Sequence, residues 1–175
     1  MAFTRREINL GVIAVAAVGA AALGWRLIGG RREAIAGTFE VTHTPEEWRK
    51  LLAPEQYAVL REQDTERAFT SPLNGEKRAG VFVCAGCSLA LFTSRMKFDS
   101  GTGWPSFFTL IPDRLGTKQD FKLVYPRTEY HCVRCGGHQG HVFDDGPAPT
   151  GLRYCNNGVA LRFIPQKGAA PSAKS

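Results

Sequence analysis

An even number of cysteines is what this sequence most plainly lacks. Its 175 residues carry five. A disulfide framework takes cysteines in pairs, so five divides more naturally into four of one kind and one of another. Charge is also scarce, at 22% of residues, while Gly and Pro number 19 and 10. That balance argues against a helical bundle and for short strands joined by turns. Acidic excess is absent too. Lys and Arg outnumber Asp and Glu, 22 to 16, which excludes an acidic disordered segment. The resulting +6 is too mild to mark a nucleic-acid binder.

Charge is missing altogether between Ile8 and Trp25, a stretch dominated by Ala, Val, Ile, Gly and Leu. It comes after Thr4-Arg5-Arg6-Glu7-Ile8-Asn9-Leu10 and is similar to a twin-arginine export signal. Ala34-Ile35-Ala36 offers a small-residue cleavage site. The alternative is a single membrane-anchoring helix, because the uncharged run is just long enough to span a bilayer. Either reading places the remainder of the chain across or on the bacterial inner membrane, facing the periplasm. Arg5, Arg6, Arg26, Arg31 and Arg32, set against Glu7 and Glu33, account for half of the net charge. No basic face survives in the rest of the chain, and no nucleic-acid partner is expected. The expected division is a targeting or anchoring segment at 1–36, a folded domain at 37–165 and a disordered tail at 166–175.

Thr38 to Val41 reads as extended. Thr44-Pro45-Glu46-Glu47 carries the start signals of a helix: an N-cap Thr, Pro at the first position and Glu for a capping box. Trp48, Leu51 and Leu52 give that helix an apolar side. Pro54 interrupts it, and Glu55 to Arg67 reads as a second helix with Tyr57, Val59 and Leu60 inward. Beyond Arg67 no long run has helical periodicity. Strand-like runs occupy 80–83, 89–92, 121–125, 130–133, 141–143 and 159–163. The expected class is mainly β, with short helices and then antiparallel sheets.

Cys84-Ala85-Gly86-Cys87 and Cys132-Val133-Arg134-Cys135 are two C-x-x-C pairs. Two intervening residues let both sulfurs of a tight turn face one ion, and two such turns supply a tetrahedral zinc site. Redox-active pairs and local disulfides are the alternatives. Cys155 stands apart in Arg153-Tyr154-Cys155-Asn156-Asn157. It is either a buried small hydrophobe or a reactive thiol whose pKa the neighbouring Arg153 lowers. His138-Gln139-Gly140-His141 supplies two imidazoles, which can serve as structural residues, metal ligands or acid–base groups. Trp104, between Gly103 and Pro105, either plugs the core or walls a ligand site.

In order, the two C-x-x-C pairs, Gly101-Thr102-Gly103-Trp104-Pro105-Ser106-Phe107, His138 to Phe143, Asp145-Gly146-Pro147 and Arg153 to Asn157 closely resemble peptide-methionine (R)-S-oxide reductases of the B type. The resemblance runs from about Pro45 to Phe163. It implies a zinc-clipped antiparallel fold, sandwich- or barrel-like, with Cys84, Cys87, Cys132 and Cys135 on one structural zinc ion. It implies reduction of methionine-R-sulfoxide in proteins, one of the repair reactions for oxidised methionine. Cys155 is then the attacking thiolate that becomes a sulfenic acid, supported by Arg153. His138, His141 and Asn157 orient water or substrate and supply the proton, while Trp104 and Phe143 pack against the sulfoxide methyl. The resemblance also marks a departure. Many members carry a resolving cysteine where this chain has Thr102, so the expected cycle closes through an external, thioredoxin-like thiol donor. Asn156 and Gly158 stand where an apolar residue and Ser are usual. The expected enzyme is a monomer. Two other classes compete: a zinc-ribbon binding module, which the mild charge disfavours, and a thiol–disulfide carrier, which would hold no metal.

Overall fold

The computed structural model describes residues 39–123 and 125–167. The expected targeting segment, 1–36, and most of the expected tail lie outside the described residues. Among those described, no helix is long and apolar enough to cross a membrane.

Two short helices open the fold. Helix α1 spans Pro45–Leu51 and α2 spans Pro54–Glu62. The capping box at α1 is present as expected. The Thr44 hydroxyl accepts from Glu47 N at 3.2 Å, and Glu47 Oε2 accepts from Thr44 N at 2.8 Å. Pro54 starts α2 at its first turn instead of merely interrupting α1, which fits its preset φ and missing N–H. The second helix stops earlier than its periodicity suggests. Gln63 takes a left-handed conformation, with φ 59°, and ends it. Residues 64–71 are thereby released as a loop. Trp48, Leu52, Val59 and Leu60 are buried, whereas Leu51 is exposed.

Nine strands come next among the described residues: β1 Gly80–Cys84, β2 Ala90–Thr93, β3 Lys97–Phe98, β4 Ser106–Phe107, β5 Leu115–Asp120, β6 Arg127–Cys132, β7 His138–Phe143, β8 Arg153–Asn156 and β9 Leu161–Pro165. They form a three-stranded sheet, β2-β1-β9, and a six-stranded sheet, β3-β4-β8-β7-β6-β5. All pairings are antiparallel. The mainly β, antiparallel expectation is met. The barrel-like alternative is not, because both sheets stay open. The strand expected at 121–125 is also absent. Asp120 ends β5, and Phe121, Leu123 and Tyr125 are exposed on the connection to β6. Aromatic residues raise strand propensity on a half-buried surface, but here they lie largely in solvent.

Rings from both sheets meet in the core. Phe92 of β2 stacks on Phe107 of β4 at 4.0 Å between centroids, and Phe82 of β1 meets Phe107 edge-on at 5.0 Å. Tyr130 of β6, fully buried, completes the cluster against Tyr154 at 5.4 Å. Each ring buries a large apolar area, and offset or edge contacts add ~0.5–1.5 kcal/mol per pair. This aromatic layer fixes β8 and β4 against the smaller sheet.

Candidate active site and metal centre

The two C-x-x-C pairs sit on matching turns at strand ends. After β1, Cys84 N donates to Leu89 O at 2.8 Å and Ser88 N to Cys84 O at 2.9 Å. After β6, Cys132 N donates to Gly137 O at 3.0 Å and Gly136 N to Cys132 O at 2.9 Å. The second turn needs the positive φ of Gly136, 68°. Arg61 of α2 braces it through a 2.8 Å bond to Cys135 O. Cys84 and Cys135 sulfurs lie 3.7 Å apart, Cys87 and Cys132 sulfurs 3.5 Å apart, and all four fall within 4.8 Å of one another. A tetrahedron with metal–sulfur bonds of ~2.3 Å has edges of about 3.8 Å, so the donor set and its spacing fit one soft ion. None of the five cysteines is in a disulfide. Without a cation the four thiols cannot all ionise. Their mutual hydrogen bonds, above all those with Cys132, push Cys84 up and hold Cys87 down.

Cys155 lies on β8, between β4 and β7, with Ser106 and His141 as its cross-strand partners. The close approach of β7 depends on Gly140, since a side chain there would run into the Cys155 carbonyl. A cavity of about 100 Å³ opens over the thiol, the liquid share of roughly three waters at ~30 Å³ each. Cys155, His141, Trp104, Phe143 and Asn157 all line it, so five of the expected site residues converge there.

Arg153 acts on Cys155 in the direction the spacing suggests, but burial outweighs it. Its guanidinium bonds Asp145 twice, at 2.7 and 2.8 Å, and lies 4.4 Å over the Phe143 ring. Burial raises the Cys155 pKa. The Arg153 charge and hydrogen bonds from Thr102 and Arg153 oppose that rise without reversing it. The resting residue is therefore a thiol at neutral pH. Asp145, paired with the guanidinium, adds a smaller push upward.

Each histidine is held by a carboxylate. His138 Nδ1 lies 2.7 Å from Glu129 Oε1, and Lys118 Nζ lies 3.1 Å from the other oxygen. Burial pushes Glu129 up, but the His138 and Lys118 bonds outweigh it and keep the carboxyl below its usual range. His141 Nε2 lies 2.7 Å from Asp120 Oδ2, which also accepts from Arg127 at 2.7 Å. Burial lowers His141 below the ordinary imidazole value. The neutral ring then donates from Nε2 to Asp120 and leaves Nδ1 unprotonated, and the residue lines the cavity over Cys155. The two rings are 5.4 Å apart. His138 itself is buried against Glu129 and does not line the cavity.

Asn157 is fully engaged with backbone groups. Its Oδ1 accepts from Glu66 N at 2.9 Å, and its Nδ2 donates to Gln139 O at 3.0 Å. Glu66 also accepts the Trp104 indole N–H on its carbonyl at 2.8 Å, and Gly158 N on its carboxylate at 2.5 Å. The loop released by the early end of α2 thus clasps both the aromatic wall and the segment after Cys155. Glu66, Asp120 and Glu129 escaped the sequence reading. Glu129 lay just outside the strand run read from Tyr130, Asp120 just before the one read from Phe121, and Glu66 was hidden within an expected helix.

A SelR domain matches residues 52–165. A peptide methionine sulfoxide reductase MsrB from Methanosarcina barkeri is 54% identical over 124 residues, covering 70% of this chain and 87% of that protein. Those from Pseudomonas putida and Leptospira interrogans are 53% and 50% identical, covering 98% and 96% of their lengths and 74% and 71% of this chain. The chain belongs to the MsrB family.

Within this MsrB family chain, the position expected to hold a resolving thiol is occupied by a hydroxyl. Thr102 Oγ1 is 2.8 Å from Ser100 Oγ, which is 2.8 Å from Ser106 Oγ. The family match begins at residue 52 and does not extend to the twin-arginine stretch. No membrane-crossing helix exists among the described residues. The expectation of a domain exported across, or anchored to, the inner membrane is therefore corrected: an apolar run behind two arginines is a composition signal, and the likeness that identifies the chain gives it no support.

Proposed function

We propose that Cys155 performs the family reaction, reduction of methionine-R-sulfoxide to methionine, by direct oxygen transfer, and that an external thiol finishes the cycle. The observation that carries this is the convergence of Cys155, His141, Trp104 and Phe143 on one small cavity. The sulfoxide methyl packs against the Trp104 ring, a contact worth ~0.3–1.5 kcal/mol. The Cys155 sulfur attacks the sulfoxide sulfur and forms a sulfur–sulfur bond, while its proton passes through His141 Nδ1 to the sulfoxide oxygen. The protonated oxygen then moves to the Cys155 sulfur as the bonds from the methionine sulfur to oxygen and to Cys155 both break, which leaves methionine and a Cys155 sulfenic acid. Methionine sulfur gains two electrons and Cys155 loses two. The thiol proton supplies the sulfenic hydroxyl, so no further acid is needed. Two external thiols, as in a thioredoxin-like donor, then return Cys155 to the thiol and release water and a disulfide.

His138 and Asn157 act as positioning residues in this reading. His138 ties β7 to Glu129, and Asn157 ties the segment after Cys155 to Glu66. Zinc is the ion for Cys84, Cys87, Cys132 and Cys135, because four thiolates in a tetrahedron suit it, and its service there is structural. The catalytic domain spans 37–165, and the site is complete within one chain, as a monomer requires. The test is turnover of the two methionine sulfoxide epimers, free and peptide-bound, with dithiothreitol as donor and zinc quantified in the same sample. Reduction of the R epimer alone, with one zinc per chain and no turnover in Cys155→Ser, supports the reading. Activity retained in Cys155→Ser overturns it.

A further inference from the structure

Two buried amides connect the sulfur cluster to the strand that carries the reactive thiol. Gln139 and Asn156 are completely buried, as are Cys84 and Tyr130. Gln139 Nε2 donates to Cys84 Sγ at 3.4 Å, Asn156 Nδ2 donates to Gln139 Oε1 at 3.4 Å, and Tyr130 OH donates to Asn156 Oδ1 at 2.9 Å. Asn156 Nδ2 also reaches Asn157 O at 2.8 Å. The chain of bonds begins on β1 of the small sheet and ends on β6 and β8 of the large one. It is a polar thread through an aromatic core, where an unpaired amide would cost about 1–3 kcal/mol.

The thread has a direction, and the metal sets it. A metal-bound Cys84 is a thiolate and can only accept, so Gln139 must offer its NH₂ there. Its oxygen then accepts only from the NH₂ of Asn156, whose oxygen in turn accepts the Tyr130 hydroxyl. Asn156 is the residue between Cys155 and Asn157, and it stands where the family resemblance expects an apolar side chain.

We propose that Gln139 and Asn156 are positioning residues that couple the four-sulfur metal site to the Cys155 strand, with the Cys84 thiolate orienting both amides. The proposal rests on reading the cluster as a metal centre and Cys155 as the reactive thiol. A hydrogen bond to a metal thiolate withdraws charge from sulfur, so its loss lowers the energy of sulfur-to-metal charge transfer.

The direct test uses the whole chain loaded with cadmium-113. A through-bond correlation between a Gln139 side-chain amide proton and the cadmium is expected in the wild-type protein, and it should be lost or reduced at least twofold in Asn156→Leu, a residue that touches no metal ligand. With cobalt in place of cadmium, Gln139→Met should move the thiolate charge-transfer band to longer wavelength. The catalytic end is read as a several-fold fall in kcat with KM kept in each variant, and a double variant no worse than the more affected single one. Absence of the wild-type correlation with cadmium bound at one per chain would overturn the relay while sparing the metal centre, and needs no variant to fold. Failure of the chain to bind cadmium would overturn the metal reading and the relay with it. A cadmium correlation unchanged by Asn156→Leu would reduce the amides to packing and sink the coupling.

Discussion

The imidazole of His141 and the carboxylate of Asp120 meet through Nε2 and Oδ2 at 2.7 Å, at the rim of the cavity over Cys155. Asp120 is itself held well below the usual carboxylate range, first by the Lys122 backbone N–H and then by His141 and Arg127. It therefore stays ionised and favours the imidazole tautomer that the proposed proton transfer from Cys155 requires.

The two shifts at the site set a pH profile. His141 is lowered from the ordinary 6.5 by burial, and Cys155 is raised from 9.0 by burial. The competent form is neutral on both, so kcat/KM should be flat across neutral pH. It should fall on the acid side only below 6.5 and on the alkaline side only above 9.0. Asp120→Asn removes a group that favours the charged imidazole, so the acid limb should move to still lower pH, with kcat down about tenfold. His141→Ala should cost about a hundredfold or more. A steady-state profile on methionine-R-sulfoxide checks both, and an acid limb moving upward in Asp120→Asn would contradict the tautomer role.

Arg153 opposes the burial penalty on Cys155 even though Asp145 shares its charge. Arg153→Met should raise the Cys155 pKa further, and Asp145→Asn should lower it by freeing the guanidinium. The pH dependence of alkylation by iodoacetamide reads this directly. Movement of the two variants in the same direction would contradict the charge argument.

Trp104 is held by Glu66 through its indole N–H. Trp104→Ala should lower kcat/KM by about two- to tenfold through the lost sulfur–aromatic contact alone. The acceptor is the Glu66 carbonyl, so Glu66→Gln should keep the Trp104 wall, whereas Trp104→Phe loses that bond and should raise KM.

Thr102 occupies the place of a sixth cysteine and helps hold the Cys155 pKa down against burial. Thr102→Cys should create an internal disulfide with Cys155 after one turnover, read by intact mass as loss of two hydrogens with no oxygen retained. A stable sulfenic acid in that variant would show that the two positions cannot meet.

Removing the metal should unfold the domain, because its ligands join strand ends separated by 44 intervening residues, from Cys87 to Cys132. Cys84→Ser or chelation at elevated temperature should lower the melting temperature by more than about 10 °C. A melting curve unchanged after zinc loss would contradict a structural role.

The parts of the molecule written in local chemistry were readable in advance. The Thr44–Glu47 capping box and the two C-x-x-C turns depend on spacing and residue type, whereas the grouping of Cys155, Trp104, Phe143 and His141 was implied by the family resemblance alone. What escaped depends on distant partners. Phe121 to Tyr125 has the composition of a strand but joins no strand pairing among the described residues, while Leu115 to Asp120, poorer in strand formers, pairs fully with β6. Arg153 lies two residues from Cys155 in sequence, but its guanidinium is paired with Asp145, eight residues earlier. Glu66 and Asn157 meet across 91 positions, a contact that exists only because Gln63 ends α2 early.

The central claim is that Cys155 alone carries the oxygen and that the four other cysteines stay on the metal. It is tested by treating the zinc-loaded protein with excess methionine-R-sulfoxide in the absence of any thiol, then measuring intact mass, dimedone reactivity and released zinc. The account predicts one methionine per chain, one added oxygen trapped by dimedone at Cys155, and zinc fully retained. A disulfide between Cys155 and one of the four cluster cysteines, with zinc released in equal amount, would contradict it.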